Sequence, residues 1–203
     1  MTWYFETFQE WFETHADESL TAIEEAFSPE AIPEKRPKPV ELFLGRMQPI
    51  HLGHIKIIKK MKNPIVVLVK GVKSSLDKNR NPLDADTQTK LLRKAIPGVK
   101  VIVAPNGYLP AIFVDLRESG GYEVEKVYAG ADRISGYKKQ VDSINKKIEN
   151  PSAKFEVEFV KTDRFTSATK VREIIRAGDF DAYKKLMPKE LYDEFDNLRK
   201  LIK

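Results

Sequence analysis

Beyond residue 40 the apolar positions fall into short β-rich runs separated by stretches of helical spacing, and that alternation sets the fold expected of the chain. Runs at residues 40–44, 65–70, 99–104, 126–129 and 155–160 predict five strands. Residues 52–62, 84–95, 109–118 and 135–149 predict the helices between them. An order of βαβαβαβαβ is that of a doubly wound parallel sheet, so the expected fold class is α/β: a Rossmann-like, five-stranded, three-layer α/β/α sandwich. Sheets of this kind bind ligands beyond the carboxyl ends of their strands, which directs attention to the loops there.

Ahead of that unit the pattern is different. Tyr4, Phe5, Phe8, Trp11 and Phe12, then Leu20, Ile23 and Phe27, recur at helical spacing opposite an acidic face, predicting an amphipathic helical extension. Pro29, Pro33, Pro37 and Pro39 follow and favour an extended tether. We therefore expect an extension with its linker over residues 1–38 and the main α/β domain over 39–203. The extension either packs on its own domain or serves to dock another protein.

Charge sharpens this division. All 35 Lys and Arg residues follow Glu30, where they face 22 acidic residues, while the first 30 positions hold eight acidic residues. Such a basic domain attracts polyanions, either a nucleoside triphosphate or a nucleic acid. The chain has no cysteine, which removes disulfides, thiolate zinc sites and thiol nucleophiles. It also has neither a membrane-spanning apolar stretch nor the opening of a secretory signal, so the cytoplasm is the expected compartment.

The first predicted strand runs into Gly45-Arg46-Met47-Gln48-Pro49-Ile50-His51-Leu52-Gly53-His54, which holds two of the three histidines. Gly45 suits a tight turn, Pro49 a stiff loop, and Gly53 the close approach of backbone to a phosphate. His51 and His54, three residues apart, fall on one face of a helix start, where free amides already favour anions. Two surface histidines in a turn is the plainer alternative. A zinc site lacks further ligands nearby. A second stretch, Thr166-Ser167-Ala168-Thr169-Lys170-Val171-Arg172, places hydroxyls at a helix start and a guanidinium one turn inside. Capping by itself would explain the hydroxyls.

The first stretch resembles the Gly-Arg-Phe/Met-Gln-Pro-x-His-x-Gly-His signature of the HxGH nucleotidyltransferase superfamily, in its archaeal-type nicotinamide mononucleotide adenylyltransferase branch most of all. The second resembles that superfamily's Ser-x-Thr-x-Val-Arg signature. Chains with an aromatic helix ahead of this domain also look like phage nucleotidyltransferase-like proteins. Gly130-Ala131-Asp132-Arg133 is similar to a Gly-x-Asp segment beside the nucleotide in several branches. The stretch from Asn81 to Gln88 looks like a decayed archaeal Asn-Pro-Phe-Thr-x-x-Glu-Arg run, with Thr87 and Gln88 in place of the acidic and basic pair.

The resemblance implies transfer of AMP from ATP to a phosphorylated acceptor, nicotinamide mononucleotide foremost, giving NAD and pyrophosphate. It implies His51, His54 and Arg172 as catalytic residues, and Gly45, Arg46, Met47, Gly53, Gly130, Asp132, Ser167 and Thr169 as nucleotide-binding ones. Mg²⁺ would accompany the triphosphate, keeping most of its waters, and the enzyme would be a homo-oligomer. Alternatives are a cytidylyl- or adenylyltransferase for another phosphometabolite, or a non-catalytic nucleotide-binding assembly protein. Binding to nucleic acid has no recognised module behind it.

Overall fold

The computed structural model describes residues 37–70, 77–163 and 165–203; of the expected extension and linker, residues 1–38, all but the last two residues lie outside them. Five strands are present: β1 (Lys38–Gly45), β2 (Pro64–Val69), β3 (Lys100–Ala104), β4 (Tyr122–Gly130) and β5 (Glu158–Thr162). They form one sheet in the order β3-β2-β1-β4-β5, with every neighbouring pair parallel. This is the expected doubly wound α/β fold.

Strand propensity explains the sheet's centre. Val66, Val67 and Leu68 in β2 and Leu42 in β1 are wholly shielded from water, as strands covered on both faces must be. One face packs under α1 (Leu52–Ile58), α2 (Ala85–Ala95), α5 (Ala168–Ala177), α6 (Phe180–Leu186) and α7 (Phe195–Leu201). The other packs under α3 (Leu109–Gly120) and α4 (Ala131–Asn145). Met47 and Ile50, from the loop after β1, belong to the first of these cores. The loop is therefore anchored from beneath by burial of its own apolar residues.

Strand β4 begins at Tyr122, four residues before the expected start, and three further elements differ from expectation, each for a local reason. The fifth strand starts at Glu158 rather than at residue 155, because Phe155 makes its main-chain bonds elsewhere. The amide of Asn145 takes both the Phe155 N–H and its carbonyl, each at 2.9 Å, while the Phe155 ring meets Phe113 edge to face. Helix α1 is only two turns long; the chain bends after it and Asn63 adopts a left-handed φ of 44°. Helix α4 begins at Ala131, directly after Gly130, four residues earlier than the pattern of apolar positions suggests.

Candidate active site

Strand order reverses between β1 and β4, which is where a doubly wound sheet opens a crevice. Phe43 of β1 pairs with Tyr128 of β4, and Gly45 and Gly130 each lie two residues further on. The two loops suggested by sequence therefore leave adjacent strands side by side at the carboxyl edge. Gly130 also pairs with Thr162, so β5 delivers the second signature to the same edge.

The histidines form the centre of the first loop. Their rings stack with centroids 3.7 Å apart and planes 21° from parallel. His51 caps α1: its Nδ1 accepts the Gly53 N–H at 3.1 Å. That bond fixes Nδ1 as the acceptor, so the neutral ring carries its proton on Nε2, where it can be donated. Burial pushes the His51 pKa down to about 4, so the ring is neutral at pH 7 and donates without carrying charge. Burial also lowers the pKa of His54, and the neighbouring His51 lowers it further. The His54 Nδ1 atom is enclosed and has no hydrogen-bond partner among the described residues. A side chain at Gly53 would lie 3.0 Å from the His51 ring and 3.3 Å from Cβ of Phe165, so even a methyl group there would press on both.

Arg172 joins the second signature to the first. Its Nη1 donates to the Gln48 carbonyl at 2.6 Å and its Nη2 to Thr169 Oγ1 at 3.1 Å. The side chain is buried, and burial foremost, then the charges of Arg176 and Arg46, depress its pKa. Arg46 itself is exposed, so the guanidinium groups produce a positive field at the crevice. Ser167 Oγ caps α5 by accepting the Lys170 N–H at 3.1 Å, which occupies the hydroxyl as simple capping would. The Met47 side chain is buried in the core, leaving only its backbone to face a ligand. Asp132 is exposed beside Arg133 at 3.7 Å.

Several contributors escaped the sequence reading. Gln48 brackets Leu83, donating to its carbonyl at 2.8 Å and accepting its N–H at 2.9 Å. The same carbonyl accepts Lys70 Nζ at 2.9 Å. Lys70 leaves the end of β2 into a cleft of about 220 Å³ also lined by Lys78, Asn81 and Asp84. Burial lowers its pKa, opposed by Asp84. Phe165 is an exposed aromatic at the rim, with Lys56 Nζ 4.2 Å from its ring centre. Two of these carried a sequence signal: Gln48 stands inside the first signature, and Lys70 closes the predicted second strand. A larger concavity of about 280 Å³ lies at the opposite end of β4, between Tyr122 and Phe155, and holds no imidazole or guanidinium.

Taken together, the sheet and its loops define a doubly wound α/β protein with an anion-ready imidazole loop at the switch point. The chain belongs to the cytidylyltransferase-like family, whose profile matches residues 42–174, and so to the nucleotidyltransferase superfamily. Among solved structures, it is similar to a bifunctional NMN adenylyltransferase/ADP ribose pyrophosphatase from Francisella tularensis, complexed with AMP and a manganese ion. That similarity has a TM-score of 0.52 at 15% identity over 82% of this chain and 52% of that one. The chain thus spans about half the length of this relative. A nicotinic acid mononucleotide adenylyltransferase from Plasmodium falciparum, complexed with NaAD, matches with TM-score 0.49 and 14% identity over 81% of this chain and 98% of that one. No curated protein sequence matches the chain.

Proposed function

We propose that this chain transfers AMP from ATP to a small phosphorylated acceptor, with nicotinamide mononucleotide the leading acceptor. A single observation carries the reading: the stacked imidazoles of His51 and His54 stand at the end of β1, and Arg172, from the far signature, is bonded into the same loop. In the reaction an acceptor phosphate oxygen attacks the α-phosphorus in line, the bond from that phosphorus to the bridging oxygen breaks, and pyrophosphate leaves. No covalent intermediate with the protein is required, so positioning and charge stabilisation are the protein's task.

Neutral imidazoles donating from their Nε2 atoms suit the non-bridging α-phosphate oxygens, where charge gathers. Arg46 supplies mobile positive charge for the remaining phosphates, and Arg172 shapes the loop while adding to the field. Lys70 is the cation placed to meet an anionic acceptor. A divalent cation would take its ligands mainly from phosphate oxygens and water, because the described residues contain no group of three His, Asp or Glu able to hold one.

Pyrophosphate release measured with ATP and CTP in turn, each with nicotinamide mononucleotide and other phosphorylated acceptors, tests the reading. Turnover should be greatest with ATP and nicotinamide mononucleotide. Preference for CTP would replace the adenylyl reading with a cytidylyl one, and silence with every pair would favour a binding protein. His54→Ala should lower kcat by about 10²- to 10³-fold, the scale for one lost donor to a developing oxyanion, with triphosphate affinity less affected. Undiminished turnover in that variant would remove the histidines from the mechanism.

A further inference from the structure

Gln88 is a polar side chain almost wholly buried on α2, some forty residues along the chain from the loop after β1. Its Nε2 donates to the main-chain oxygens of Arg46 and Met47, the latter at 2.9 Å. Those two carbonyls belong to the peptide units on either side of the Met47 Cα. Met47 has φ of 45°, the left-handed region that an L side chain enters only when its surroundings enforce it. One amide group therefore grips the strained residue from both sides.

The pattern continues one residue further, where the Gln48 carbonyl is taken by Arg172. Three successive carbonyl oxygens of the loop are thus held by donors from outside it. A polyphosphate approaching a row of free carbonyl dipoles would be repelled, whereas here the negative ends are already engaged. Gln88 Oε1 is enclosed and unpartnered among the described residues, so the amide serves this position through its N–H donor, and an apolar side chain of like volume would leave both carbonyls without it.

We propose that Gln88 is a positioning residue for nucleotidyl transfer: by bracketing Met47 it holds the loop from Arg46 to His51 in its anion-receiving shape. This rests on the transfer reading above. The side chain need not touch a substrate, and its effect passes through the Arg46 and Met47 peptides.

The test compares wild type with Gln88→Leu and Gln88→Met, which fill the space without a donor. Melting curves establish that each variant is folded at the assay temperature, and if one is not, the other decides. Amide hydrogen exchange over residues 45–51 is read alongside pyrophosphate release from the nucleotide and acceptor pair that wild type uses. We expect loop exchange to quicken and kcat to fall by about 10²-fold, the scale for slight misplacement of reacting groups. KM for the triphosphate should change by less than about threefold, since the charges remain. A folded variant with wild-type kcat, or with loop exchange unchanged, overturns the proposal. If wild type releases no pyrophosphate with any pair, the transfer reading fails separately, and loop exchange alone still judges the clamp.

Discussion

His51 serves two purposes that pull its chemistry in one direction. As the cap of α1 it must keep Nδ1 free of a proton, and burial likewise favours the neutral ring. Its pKa is about 4 in the folded chain against about 6.5 for an unfolded histidine. Above pH 6.5 neither state binds this proton, so stability does not respond to it. Between pH 6.5 and 4 the unfolded chain takes up the proton and the folded one does not, so stability falls as pH falls. His54, shifted the same way, adds to the loss. Denaturant titrations at pH 7.5 and pH 4.5 should show His51→Asn, which retains a capping acceptor, losing about 2 kcal/mol less than wild type over that interval. Parallel losses in both proteins would mean that His51 is not held neutral by the fold.

At the level of elements, α5 shows how a site can rest on ordinary helix chemistry. Ser167 is extended, its hydroxyl accepts the Lys170 N–H, and the helix carries Arg172 towards the loop one turn later. Ser167→Ala should cost about 1 kcal/mol of stability, the usual worth of a cap. It should lower turnover further if the helix start also receives phosphate; equal turnover in the two proteins would confine Ser167 to capping. This motif was readable because its parts are neighbours in sequence. The alternation of strands and helices, and the places of the two histidines and the arginine at helix starts, could be foreseen for the same reason, from local runs and short spacings. What could not be foreseen depends on distant partners. Gln88 was noticed as a departure from a familiar pattern, yet its bonds to Arg46 and Met47 cross 42 and 41 positions. Phe155 has the composition of a strand residue, but Asn145 withdraws its backbone from the ladder. Helix α4 starts early because Gly130 feeds it directly, without the Ser, Thr or Asn that would have marked its beginning.

Across the whole molecule, the loop after β1 shares one core with the last helices of the chain. Met47, Ile50 and Ile55 pack in the cluster that includes Tyr183, Leu191, Phe195, Leu198 and Ile202. The Tyr183 hydroxyl reinforces this corner by donating to the Leu191 carbonyl at 2.7 Å. Leu198→Ala, at a position 1% exposed, should destabilise the protein by about 2–5 kcal/mol, the range for deleting a buried leucine side chain. Thermal melting would register the change, and an unaltered midpoint would show that α7 is peripheral to the fold. No helix among the described residues is long and apolar enough to cross a membrane.

The bond between Arg172 and Gln48 joins positions 124 residues apart. Contacts of that span close late, because most of the intervening polypeptide must be ordered before they can form. During synthesis the histidines therefore leave the ribosome well before their arginine. A growing chain can lay down β1 and β2 while this corner of the crevice still lacks its guanidinium.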